Sequence, residues 1–311
     1  MAYKTGRLRT VAALLAMGRP VFLGGIIPVY LLGLVLAWRE TGALSLSVLL
    51  WGQLGVMLVQ LMTHFSNEYW DVETDARVQT RTLFSGGSGA VVSRRVSRPT
   101  ALYSGVFCGA SALAVAGLLT WSYGTGPYTL LLFSSAILLA WFYSSPPLQL
   151  MSRGLGELDT TLISGVLVPF TAYYLQTGTV SHTLALACLP LVPLIFNVML
   201  ATEFPDIEAD AQVGKRNLVV RLGWERAARL YQAMLLLALA LTGMAWALGL
   251  PLTVVLWLSL SLPLVGVSFA AMQRREYRLG NWEVFCFKSV ALFGAVAWLE
   301  TLGFWLAVFP A

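Results

Sequence analysis

Charge is what this 311-residue sequence has least of: 11% of its residues are Asp, Glu, Lys or Arg, against 58% hydrophobic. A water-soluble domain carries about 25% charged residues, so a chain with a mean hydropathy of +0.74 cannot present an ordinary solvated surface. Cysteine and histidine are also scarce. Cys108, Cys188 and Cys286 lie in or beside apolar runs at spacings that suit neither a disulfide framework nor zinc, and read as buried small hydrophobes. His64 and His182 are too separated for a metal centre. No GxxxxGK[ST] run is present, which excludes a P-loop. The formal charge of +5 does not point to nucleic acid, because the basic residues fall between hydrophobic runs, where membrane topology explains them.

Long apolar runs are abundant. Nine are drawn at approximately 20–38, 44–66, 100–121, 127–144, 159–177, 183–201, 228–248, 252–271 and 288–309, each near the ~17–25 residues that cross a bilayer core. The expected fold class is an all-α polytopic membrane protein of nine transmembrane helices. The start, with Lys4, Arg7, Arg9 and Arg19, has the charge of a signal peptide without a small-residue cleavage site, and reads as a retained cytosolic end. With that end inside, 19 of the 20 basic residues fall on the cytosolic face and only Arg39 outside.

One polar stretch stands out at the inner end of the second run: Asn67-Glu68-Tyr69-Trp70-Asp71-Val72-Glu73-Thr74-Asp75. In a helix, Asn67, Asp71 and Asp75 are i,i+4 neighbours on one face over about 12 Å. Like charges so placed require a cation, a proton or a basic partner. The stretch from Asp71, DVETDARVQTR, recurs from Asp206 as DIEADAQVGKR, with six of eleven positions identical at an offset of 135 residues. This is an internal duplication, expected to relate halves at approximately 20–144 and 159–271 within a single domain over 1–311, with 288–309 as a final helix. Two acidic helix ends packed together place Asp71, Asp75, Asp206 and Asp210 around one site suited to divalent ions.

Two other inner connections carry polar features. Ser85-Gly86-Gly87-Ser88-Gly89, followed by Arg94, Arg95 and Arg98, reads either as a substrate cap or as a plain flexible link. After Tyr143, the run YSSPPLQLMSRGLGELDT ends one helix at Pro146-Pro147 and returns through Gly154 and Gly156 to Glu157 and Asp159. Arg153 and Glu157 are either a structural pair or groups reaching the site. Four aspartates beside arginines and a lysine suit a diphosphate held through Mg²⁺, and the lipid setting suits a diphosphate bearing a hydrophobic tail. A transporter is the competing reading, weakened because its charges would belong at the midplane rather than at helix ends.

On NEYWDVETD and DIEAD, this sequence resembles the UbiA superfamily of membrane prenyltransferases, whose motifs are NDxxDxxxD and DxxxD. DIEADAQVGKRNLVVRLG, YSSPP and RGLGE resemble its naphthoate-prenylating branch, with Glu68 and Glu203 departing from the usual residues. The resemblance implies nine helices around a central cavity open to membrane lipid, in a bacterial or archaeal cell membrane. It implies Mg²⁺ as cofactor, held by Asn67, Asp71, Asp75, Asp206 and Asp210, with the four aspartates and Tyr143 as catalytic residues. Asn67, Arg77, Arg81 and Lys215 then contact the polyprenyl diphosphate, and Arg153 and Glu157 the aromatic acceptor. The acceptor implied is 1,4-dihydroxy-2-naphthoate, in menaquinone biosynthesis; another quinone precursor, a tetrapyrrole or a glycerol-based lipid are the alternatives.

Overall fold

The computed structural model describes residues 11–307, and within them the chain is helical. Lys4, Arg7 and Arg9, and the last residues of the run drawn to 309, lie outside the described residues. The long helices are α1 Pro20–Thr41, α2 Leu46–Trp70, α3 Arg98–Trp121, α4 Tyr128–Phe142, α5 Gly156–Thr177, α6 His182–Glu203, α7 Trp224–Ala247, α8 Leu252–Gln273 and α9 Trp282–Leu306. Seven of these are long and apolar enough to cross a membrane; α8, bent by 48° between Ser259 and Leu262, makes an eighth. The 15-residue α4 is short for a span. Proline at the first turn starts α1, and the Ser45, Ser97 and Ser181 side chains cap the first turns of α2, α3 and α6 by accepting backbone N–H groups.

Burial separates a centre from a lipid-facing rim. The apolar stretch of α6 is 78% buried, whereas that of α7 is 22% buried. Helices α1, α5, α7 and α9 pack around α6, while α2 packs most extensively on α3. Outward-facing Phe107 and Trp121 are 70% and 76% exposed, as expected where lipid takes the place of water. Without a hydrophobic force between helices, close backbone approach holds them together. At Gly33 of α1 a Cβ would stand 2.1 Å from the Pro169 carbonyl oxygen of α5, so only glycine permits that crossing.

Helix α5 carries a feature that periodicity does not predict. Ile163–Leu167 forms a π-helical turn. Pro169 has no N–H to offer the Gly165 carbonyl, and a widened turn is the usual accommodation. Asp159, Ile163, Leu167 and Thr171, four residues apart, all line one internal cavity.

Candidate active site

Both aspartate motifs bend at the same place. Helix α2 stops at Trp70 and Asp71 sits at φ −92°, ψ 5°; α6 stops at Glu203 and Asp206 sits at φ −97°, ψ 0°. Each is followed by a short helix, Val72–Asp75 and Ile207–Gln212. The single continuous helix expected through Asn67, Asp71 and Asp75 is therefore corrected to a helix, a break and a short turn. The i,i+4 row survives the break, because Asp71 N–H donates to Asn67 O at 2.8 Å and Asp75 N–H to Asp71 O at 2.9 Å. The duplicate row does the same, with Asp210 N–H donating to Asp206 O at 2.8 Å.

The two short helices pack against each other. Lys215 stands between them, its Nζ 2.8 Å from Asp71 Oδ1 and 3.6 Å from Asp210 Oδ1. Ser144 Oγ donates to Asp71 Oδ2 at 3.2 Å, and Asn217 Nδ2 to Asp210 Oδ2 at 2.7 Å. Burial raises the Asp75 carboxyl to about 8, with Asp71 adding to the shift, and raises Asp206 to about 7, with Asp210 adding. Asp210 is likewise raised, chiefly by burial, against the pull of Lys215. Burial alone would lower the Lys215 ammonium, but Asp71 and Asp210 together outweigh it and hold the group above its ordinary value. Carboxyls at this density keep protons unless cations replace them.

The Gly-rich segment folds across the acids. Gly86 N–H donates to Asp206 Oδ2 at 2.9 Å, Ser88 N–H donates to Glu68 Oε1, and Gly87, at φ 65°, lies against the Asp75 carboxylate. Arg81 donates to the Gly86 carbonyl at 2.9 Å and to the Asp75 carbonyl. Arg77 Nη1 donates to the Gln212 carbonyl at 2.7 Å, tying the short helices together. Both arginines, expected to contact diphosphate, thus serve backbone carbonyls and lie outside the cavity lining. Arg153 is exposed and donates to the Pro147 carbonyl at 2.9 Å, while Glu157 is buried and faces Glu203. Among the described residues Arg153 and Glu157 do not pair, and Glu157 meets a second carboxyl, Glu203, across α5 and α6.

Behind the acids a cavity of about 1330 Å³, its open mouth included, runs between α1, α2, α4, α5, α6 and α9. Its walls are largely apolar, with Phe22, Val56, Phe133, Ile195 and Phe293 among them. Asn67 and Tyr143 line it, and so do Arg19, His64 and Asp159. Arg19 was read only as a topology charge; its position at φ 47° beside the acids, within electrostatic reach of Asp75 and Asp206, makes it part of the site. Glu68 and Glu203 occupy matching places beside the two motifs. They lie 135 residues apart, both are 2% exposed, and each accepts a backbone N–H from the connection that follows it, Ser88 and Val219 respectively.

Among the described residues no three His, Cys, Asp or Glu side chains are gathered as a metal site. Lys215 takes the space between Asp71 and Asp210, and the loop takes one oxygen of Asp206. Two hard oxygens, Asn67 Oδ1 and Asp206 Oδ1, are buried without a hydrogen-bond partner. Both are oxygens of the hard type that a small divalent cation takes as ligands.

A profile of the UbiA prenyltransferase family matches residues 26–292. The chain belongs to that family. A chloroplastic 2-carboxy-1,4-naphthoquinone phytyltransferase of Arabidopsis thaliana is 27% identical over 302 residues, 90% of this chain and 74% of that protein. A 1,4-dihydroxy-2-naphthoate octaprenyltransferase of Mycobacterium leprae is 25% identical over 212 residues, 67% of this chain and 70% of that protein. Among solved structures, a UbiA homologue of Archaeoglobus fulgidus bound to GPP and Mg²⁺ superposes with a TM-score of 0.63 at 16% identity, covering 95% of this chain and 99% of that one. The shared architecture establishes an all-helical integral membrane protein of the UbiA fold.

Proposed function

We propose that this UbiA-family chain transfers a polyprenyl group from its diphosphate to an aromatic acceptor, with 1,4-dihydroxy-2-naphthoate as that acceptor. The observation that carries the reading is the pair of duplicated aspartate breaks, packed against each other, with Asn67 of the first motif lining a largely apolar cavity. Asn67, Asp71, Asp75, Asp206 and Asp210 would hold Mg²⁺, which supplies positive charge to a diphosphate that bare carboxylates would repel. Lys215 and Arg19 add fixed charge beside the leaving group. The apolar walls hold the prenyl tail and exclude water from the allylic carbon. As the C–O bond to diphosphate breaks, the Tyr143 ring is placed to stabilise positive charge through its π face. A ring carbon forms the new C–C bond, and the carboxyl on that carbon leaves as CO₂.

The naphthoate acceptor is supported by the names of the curated relatives and by the resemblance in YSSPP, RGLGE and the second motif. A competition assay with equimolar 1,4-dihydroxy-2-naphthoate, 4-hydroxybenzoate and homogentisate, read by product mass, tests it. A decarboxylated prenyl-naphthoquinol is expected to dominate. A product that keeps the acceptor carboxylate, or preference for either benzenoid ring, would reject the acceptor and leave the transferase reading standing.

We further propose nine spans, counting α4 and the bent α8 once each, and a cytosolic site. Supporting the four-helix repeat, α5 and α6 begin 136 residues after α1 and α2. Reporters fused after Gly89 and Gly280 are expected inside the cell and one after Tyr123 outside. Cytosolic access at Tyr123 would overturn this arrangement.

A further inference from the structure

The cavity wall holds one carboxylate among its described residues, and it belongs to neither aspartate motif. Asp159, on the first turn of α5, is 5% exposed and lines the cavity, and both its carboxylate oxygens lack a hydrogen-bond partner. Among the described residues it makes no ion pair: Arg153 is turned outward to the Pro147 carbonyl, Arg19 and His64 line the same cavity without pairing with it, and Tyr143 is a near ionisable neighbour. A buried carboxyl without a partner is costly, and for one in a cavity wall a donor entering that cavity supplies the missing partner.

The chemistry of the occupants decides which one it is. A diphosphate is an anion, and among the described residues no cation is paired with Asp159 to bridge it. A prenyl tail has no donor to offer. The remaining participant in the proposed reaction is a hydroxylated aromatic ring, whose O–H is a donor matched to a carboxylate acceptor.

We propose, on the strength of the prenyl-transfer reading, that Asp159 is the hydroxyl-recognising residue of the acceptor subsite. Its carboxylate accepts the hydrogen bond of a ring hydroxyl and takes that proton as the ring carbon attacks. The oxygen lone pair becomes a ring carbonyl, the new C–C bond forms, and the pair of the broken C–O bond leaves with the diphosphate. Loss of CO₂ returns the electrons to the ring oxygen, which recovers its proton from Asp159. Tyr143 and the hydroxyl-bearing Thr160 and Ser164, on the same wall, flank the ring. A carboxylate here also makes the subsite select for a free hydroxyl, because an ether offers it nothing and leaves it unpaired.

The test crosses the residue with the substrate group. Wild type, Asp159→Asn and Asp159→Ala are assayed with dihydroxynaphthoate and with its mono-O-methyl ethers, using one prenyl diphosphate throughout. Wild type is expected to favour the free hydroxyl over at least one ether by about 10-fold or more in kcat/KM. Both variants should bring that ratio toward unity and raise the acceptor KM about 10-fold, with the KM for prenyl diphosphate within about twofold of wild type. The nearly isosteric Asp159→Asn carries the comparison if the alanine variant does not fold. Equal slowing of hydroxyl and ether acceptors, or a shift confined to the prenyl diphosphate KM, overturns the Asp159 assignment alone. No prenylated product from wild type with any hydroxyarene overturns the transferase reading together with it.

Discussion

Replacing any one of Asp71, Asp75, Asp206 or Asp210 by alanine is expected to lower pyrophosphate release by about 10²-fold or more, the scale at which groups serving a departing charge act. The protein should still insert, because all four lie in the connections beyond α2 and α6, outside the helix packing that surrounds α6. The variants should differ among themselves. Losing Asp71 or Asp210 also strips Lys215 of one of its two partners, so these two should alter the response to Mg²⁺ and to diphosphate together. Asp75 and Asp206 are instead held through the Gly-rich loop, and their loss should free that loop as well. Turnover is measured across a range of Mg²⁺ concentrations, with the membrane-inserted amount as control. Near-wild-type turnover in two of the four variants would be incompatible with a common diphosphate site.

Gly87→Ala is expected to reduce turnover by about 10- to 100-fold, comparable with a 1 Å misplacement of a reacting group. A Cβ at this position would fall 2.0 Å from Asp75 Oδ2 and 2.6 Å from its Cγ, so either the loop lifts or the carboxylate turns. The backbone there is also left-handed, which any L side chain resists by about 1–2 kcal/mol. Gly42→Ala separates the two effects: it carries a similar φ of 73° at the far end of α1, with nothing within 4 Å of the added carbon. Gly42→Ala should therefore cost stability and spare turnover, whereas Gly87→Ala should lose turnover out of proportion to stability. Equal turnover in the two variants would mean that the loop does not position Asp75.

The apolar spans were legible because lipid imposes one length on every crossing helix. Their ends were less so where polar residues continue the helix: α9 begins at Trp282 rather than 288, since Glu283 and Lys288 are tolerated near an interface, and α7 begins at Trp224 rather than 228. The aspartate motifs were legible by their repetition. The bend at Asp206 has a signal in Pro205, before which α6 stops at Glu203; the bend at Asp71 has none, because propensity carries no signal for a break held by tertiary contacts such as Lys215 with Asp71. Glu68 and Glu203 had a usable signal that went unread. Extending the 135-residue offset three residues upstream from Asp71 pairs them. The backbone-carbonyl partners of Arg77, Arg81 and Arg153 were not legible, because basic residues near an anion site look alike in sequence whether they face a ligand or a backbone carbonyl. Asp159 was passed over because a carboxylate's partners, or their absence, depend on α4, α5 and α6 meeting in three dimensions.

If the two repeats supply one shared site, ligand binding couples residues across them. Affinity for a non-hydrolysable prenyl thiodiphosphate with Mg²⁺ is compared in wild type, Asp71→Ala, Asp206→Ala and the double variant. One residue of that pair comes from each repeat. Strong non-additivity is expected, with the double variant losing well under the sum of the two single free-energy losses. Additive losses, or tight binding retained when either repeat alone is disabled, would contradict it.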